Sequence, residues 1–167
     1  MVLNLNHRSL SSESPMSANE ESVVLACARS LQRAASAGAV QPLLRGKRLV
    51  LLCGLDAGVR AAFFVQAAHE LGAHVSQVHS RLSSQSSADE VRRTARMLGR
   101  LYDAVECEGL ASSLVRQMSR EAGIPVFDSL ASPMHPIASL AEQLDEPSTP
   151  DARHRFVLQA ALVSSLG

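Results

Sequence analysis

A chain of 167 residues, 46 % of them apolar, can bury one ordinary core but not two substantial ones. Its 16 Lys and Arg balance its 16 Asp and Glu, so no overall positive field draws it to nucleic acid or to an anionic membrane surface. Its three cysteines, Cys27, Cys53 and Cys107, sit in separate segments with no CxxC pair and no His at metal-ligand spacing; they read as buried cytosolic thiols, and neither a metal nor a cofactor is expected.

The first 18 residues are polar and serine-rich, lack the apolar core of a secretory signal, and are expected to form a disordered tail. No apolar run approaches the ~20 residues needed to span a bilayer, so a soluble, cytoplasmic protein is expected. Residues 19–167 then read as one domain.

A first helix is predicted from Asn19, where Ser17 and Glu20 fit a capping box, with Val24, Ala28, Leu31 and Ala35 on one face and Gly38 as its stop. The run Leu49-Val50-Leu51-Leu52-Cys53 is the best strand candidate. A second helix, Gly58 to Leu71, stacks Val59, Phe63, Ala67 and Leu71, and a strand follows over Ala73–Val78. Past a polar loop at Ser83–Ser87, Ser87 and Glu90 form a second capping box for a helix presenting Val91, Ala95, Leu98 and Leu101.

Tyr102–Cys107 reads as the third strand, and Leu114, Val115, Met118 and Ala122 mark a helix closed by Gly123. Ile124–Phe127 reads as a short strand that Pro125 assigns to a sheet edge or a strand start, because proline cannot donate a ladder hydrogen bond. Pro136 opens a helix aligning Ile137, Leu140, Ala141 and Leu144, and Thr149-Pro150 opens a last helix over residues 150–166. Alternating β and α units of this kind predict an α/β three-layer sandwich with a mainly four-stranded parallel sheet flanked by helices.

Four words in this order resemble one family. Leu44-Arg45-Gly46-Lys47 before an apolar strand, Phe64 through Val75 (FVQAAHELGAHV), Thr94–Leu98 followed by Tyr102–Val105, and Ile124-Pro125-Val126 followed by His135-Pro136 are similar to the carbamoyl-phosphate-binding amino-terminal domain of aspartate and ornithine carbamoyltransferases. Members of that family grip carbamoyl phosphate with a Ser-Xaa-Arg-Thr-Arg loop, a second arginine after the third strand, and His-Pro-Xaa-Gln. Matched without gaps, the first motif falls on Ala57-Gly58-Val59-Arg60-Ala61, so its hydroxyl and its central guanidinium are missing. The second arginine falls on Glu108, and the glutamine of the third motif on Ala138.

Charge-assisted hydrogen bonds contribute roughly 1.5–3 kcal/mol each, so losing two cationic anchors weakens anion binding by about two to four powers of ten. The resemblance leaves Gly58, Arg60, Glu108 and His135 as ligand-binding candidates, with His135 also the candidate catalytic group or, in the plainer reading, the cap of the Pro136 helix. Amides at the start of the Gly58 helix still favour weak phosphate or carbamoyl phosphate binding. Family members form their active site with a second, acceptor-binding domain that these residues do not match. A carboxy-terminal helix packing back on the first domain also occurs in the family, so residues 150–166 are expected to contact Val24–Leu31.

The resemblance thus implies a degenerate version of this domain, acting as a non-catalytic binding or assembly module in amino-acid or pyrimidine metabolism. Its expected partners are copies of itself, as a trimer, or a full-length carbamoyltransferase. Two alternatives stay open: a residual carbamoyltransferase completed by another subunit, and a small-molecule sensor using Glu108 as its recognition charge. Arg92, Arg93, Arg96 and Arg100 read as a solvated basic face, His69, His74 and His79 as surface or packing residues, and Asp56 with Glu108 as a possible carboxylate pair.

Overall fold

The computed structural model describes residues 10–55, 58–145 and 148–167. Four parallel strands, β1 (Arg48–Cys53), β2 (His74–His79), β3 (Ala104–Glu108) and β4 (Val126–Asp128), form one sheet in the order β2-β1-β3-β4. Alternating side chains along β1 feed two cores, Leu49, Leu51 and Cys53 on one face, Val50 and Leu52 on the other. The first face is covered by α1 (Ala18–Ser36), α2 (Gly58–Glu70) and α5 (Pro150–Leu166), the second by α3 (Ala88–Leu101) and α4 (Ser112–Ala122). This is the expected three-layer α/β sandwich, and β4 is indeed an edge strand.

Both capping boxes are present: Ser17 with Glu20 opens α1, and Ser87 with Glu90 opens α3. Gly123, left-handed at φ 70°, closes α4. The segment opened by Pro136 is a 3-10 helix, Pro136–Gln143, whose three-residue period brings Ile137 and Leu140 onto one buried stripe.

Several expectations need correction. In α2 the buried face is Ala61, Phe64, Ala67 and Ala68, while Val59 is 86 % exposed, because the helix is wedged between the sheet and α5 and turns a different stripe inward. Leu101 is 48 % exposed at the end of α3. The segment read as a loose tail packs on the domain from Leu10 onward. Asp128 N–H donates to the Leu10 carbonyl, Ser12 Oγ donates to Asp128, Arg116 pairs with Glu13, and Leu10 and Met16 are buried. This segment covers the free edge of β4.

Helix α5 packs along α1, where Cys27 hydrogen-bonds to Ser164, the contact expected of a returning carboxy-terminal helix. Gln32 of α1 donates to the Asp145 carbonyl at 2.6 Å and to Ser148 Oγ at 2.8 Å, which ties the approach to α5 in place. On its other side α5 reaches α2: Gln159 donates to the Ala67 carbonyl and to Glu70, and Arg155 lies 3.3 Å from Glu70. Among the described residues no helix is long and apolar enough to cross a membrane.

Candidate functional site

The crossover through α2 leaves β1 on one face of the sheet and those through α3 and α4 run on the other, so the winding reverses between β1 and β3. In open α/β sheets ligands bind at the carboxyl ends of the strands at such a point. Here the chain draws tight: Gly54 N–H donates to the Glu108 carbonyl at 2.8 Å, and a Cβ on Gly54 would stand 2.5 Å from the Gly109 oxygen. Glycine at position 54 is what allows the two strand ends to touch.

Helix α2 begins at Gly58 beside this crevice, with open space where a Gly58 Cβ would be. Arg60, in its first turn, reaches across so that Nε lies 2.6 Å from Oε1 of Glu108. The Glu108 side chain is 1 % exposed and that of Arg60 is 45 % exposed, so a solvent-reaching cation covers a buried carboxylate. Burial raises the Glu108 carboxyl above the ordinary range, the Arg60 charge and bond oppose the rise, and Asp128 adds to it. The two charged candidates therefore meet each other.

Two more carboxylates join them. Glu106 shares the strand parity of Glu108; its Oε1 accepts from Leu130 N–H at 2.9 Å, while its Oε2 is buried without a hydrogen-bond partner. Burial, then the charge of Glu108, hold the Glu106 carboxyl well above its ordinary value. Asp128, at the end of β4, accepts from Ser12 Oγ at 2.7 Å and from Ser129 Oγ at 3.3 Å. Ser129 itself takes a left-handed backbone at φ 57°, unusual outside glycine, and bonds to the Cys107 carbonyl. The strand ends are thus lined with acidic groups, the reverse of an anion cradle.

His135 takes the capping role. Its Nδ1 accepts from Ile137 N–H at 3.2 Å, immediately before the helix that Pro136 opens. The ring is 3 % exposed and its pKa is pushed down to about 4 by burial, despite the opposing pull of Asp128. Beside it a cavity of about 560 Å³ opens between the 3-10 helix and the start of α5, with Ala138, Ser139 and His154 in its wall. Ala138 and His135 thus share a cavity that Arg60 and Glu108 do not line.

Of the sequence candidates, Arg60 and Glu108 meet beside the start of α2 at Gly58 while His135 lies apart from them; Glu106, Asp128 and His154 are not among the candidates. The Glu-Cys-Glu alternation at 106–108 did carry a signal, since two carboxylates two apart on a strand share a face. Nothing local marks His154. The basic face of α3 is matched nearby, Arg92 by Asp89 at 3.1 Å and Arg96 by Glu121 at 3.1 Å. Asp56 and Ala57 lie outside the described residues. All three thiols are unpaired, and burial raises each of them. Among the described residues no group of three His, Cys, Asp or Glu side chains could hold a metal ion.

Comparison with known proteins agrees with this architecture. Residues 8–145 match the family model described as aspartate/ornithine carbamoyltransferase, carbamoyl-P binding domain. An ornithine carbamoyltransferase of Cutibacterium acnes is 35 % identical over 144 residues, which cover 86 % of this chain and 43 % of that protein. A catabolic ornithine carbamoyltransferase of Burkholderia mallei is 35 % identical over 142 residues. Among solved structures, the ornithine carbamoyltransferase of Pyrococcus furiosus superposes with a TM-score of 0.70 at 23 % identity, over 85 % of this chain and 45 % of that one. That of Gloeobacter violaceus gives 0.60 at 26 %, over 83 % and 44 %. The chain spans less than half the length of these relatives. Its fold, its order of elements and its match across residues 8–145 place it in the aspartate/ornithine carbamoyltransferase family, in the carbamoyl-phosphate-binding domain.

Proposed function

We propose that this chain is a binding or assembly module of carbamoyltransferase metabolism that does not itself catalyse carbamoyl transfer, and that it docks onto copies of itself or onto a complete carbamoyltransferase. The observation that carries this reading is the ion pair between Arg60 and Glu108, 2.6 Å apart with the carboxylate buried. The cation nearest the start of α2 is already matched, and an incoming phosphate would have to displace Glu108 from Arg60 and then lie near its charge. Amides of the α2 amino terminus would favour an anion by at most about 2 kcal/mol, too little to offset that displacement.

The test is calorimetric titration with carbamoyl phosphate and with inorganic phosphate, together with light scattering of the chain alone and mixed with an ornithine carbamoyltransferase. The expected results are no saturable heat at micromolar ligand and a mass above that of the monomer in at least one sample. Micromolar carbamoyl phosphate binding, or a strict monomer under both conditions, would overturn the reading.

The half-site alternative, in which another subunit completes a residual carbamoyltransferase, draws support from the unpartnered, neutral Nε2 of His135. It requires carbamoyl-phosphate-dependent turnover in the mixed sample that His135→Ala abolishes. The sensor alternative requires a ligand that displaces Arg60 from Glu108, so it predicts ligand-induced thermal stabilisation that Glu108→Ala cancels.

A further inference from the structure

Away from the strand ends, one small cavity is lined mostly by hydrogen-bond donors. It opens where the amino-terminal segment that covers β4 crosses α4, and it holds about 220 Å³. Ser11 and Ser14 come from the covering segment, Arg116, Ser119 and Arg120 from α4, and Val115 and Val126 are its apolar members. Positions 116 and 120 are four residues apart on one helix, so the two arginines stand on the same side of it. The pairing of Arg116 with Glu13 fixes that side as the one facing the covering segment.

The polar groups of this cavity are largely unspent. Arg120 makes no hydrogen bond or ion pair among the described residues. Its neighbour in sequence, Glu121, turns instead to α3, where Arg92 and Arg96 hold it. The hydroxyls of Ser14 and Ser119 are likewise without hydrogen bonds among the described residues. Ser11 Oγ accepts from Glu13 N–H at 3.2 Å, which leaves its own O–H free to donate.

Glu13 is the acidic competitor, and its hold is weak. Its side chain is 47 % exposed and that of Arg116 53 %, so the pair is screened by water and favoured by less than about tenfold. The Arg60–Glu108 pair is the opposite case, with its carboxylate 1 % exposed. An incoming anion can therefore take Arg116 from Glu13 where it could not take Arg60 from Glu108. The carboxyl end of α4 opposes an anion with about half a unit charge, less than the two guanidinium groups supply.

Two guanidinium groups and three hydroxyls in so small a space complement a group that accepts hydrogen bonds in several directions and carries negative charge. We propose that this cavity binds a tetrahedral oxyanion, either free phosphate or the phosphate of a small monoester, between Arg116, Arg120 and the serines of the covering segment. A bound oxyanion bridges that segment to α4 and so fastens the cover over the β4 edge. Neither Arg60 nor Glu108 lines this cavity, and the proposal goes beyond the assembly reading without depending on it.

The experiment is an NMR titration of the arginine Nε–H groups at pH 8 with sulfate, inorganic phosphate and glycerol 3-phosphate, at constant ionic strength set with sodium chloride. Saturable shifts are expected at Arg116 and Arg120 with a dissociation constant on the order of millimolar, and none with chloride alone. Arg120→Gln should weaken binding by about tenfold or more, the scale of a charge-assisted hydrogen bond, and Glu13→Gln should strengthen it. Tighter binding of glycerol 3-phosphate than of phosphate would assign the site to a monoester, and equal binding to the free ion. Shifts that only track ionic strength, or an undiminished response in Arg120→Gln, would overturn the proposal. Arg120 is exposed, so that variant should fold, and Arg116→Gln provides a second check. Because each arginine is read separately, phosphate binding at Arg60, which would count against the assembly reading, is distinguished from binding here.

Discussion

Single residues here work against the chemistry their positions would serve. Replacing Glu108 with Gln removes the repulsive charge and frees the Arg60 guanidinium, so phosphate affinity should rise by about tenfold or more, the scale of a charge-assisted bond, measured by calorimetry. Glu106 and His135 give opposite pH responses. Below the ordinary glutamate pKa both folded and unfolded chains hold the Glu106 proton; above it only the folded chain does, so rising pH costs stability. Glu106→Gln can keep the oxygen that accepts from Leu130 and should raise the melting temperature at pH 8, with the gain shrinking toward pH 5. His135, with a folded pKa of about 4 against 6.5, stays neutral while the unfolded chain takes up a proton. Stability should therefore fall by about 3 kcal/mol from this group as pH drops from 6.5 to 4, read from denaturant curves at intermediate pH.

At the level of elements, close approach and capping decide where helices lie. A Cβ on Gly99 would stand 2.0 Å from the Ala122 carbonyl oxygen, so α3 and α4 touch where only glycine fits. Gly99→Ala should force the pair apart and destabilise the fold by about 1–3 kcal/mol in urea unfolding, with m unchanged. Ser87→Ala, which removes one half of a capping box, should cost only about 1 kcal/mol. These features were unequally legible. Both capping boxes, the Gly123 stop and the α4 face stood in the sequence because they depend on neighbours within one turn. The inward face of α2 did not, because two partners distant in sequence, the sheet and α5, compete for it.

In the whole molecule, α5 is the piece that closes the first core. It buries Phe156, Val157, Leu158, Ala160, Ala161 and Leu162 against α1, α2 and the 3-10 helix, and it is buried nearly all round. Ending the chain at Thr149 would expose that surface on three partners, so the shortened protein should lose cooperative thermal unfolding by circular dichroism. A truncated chain that melted like the full one would show α5 to be an ornament. The same helix brings His154 to the wall beside His135, linking the domain's closure to the composition of its cavity.

The sequence by itself determined the α/β order, the strand and helix positions to within a few residues, and the likeness to the carbamoyltransferase domain. Each of these depends on local period, local capping or residue identity. Only the tertiary structure decided that Arg60 is matched by Glu108, that Glu106 and Asp128 crowd the same strand ends, and that His135 and His154 share a cavity. Those pairings join residues from separate elements. Their energies come from burial and from the charges that folding brings near, which no stretch of chain carries alone.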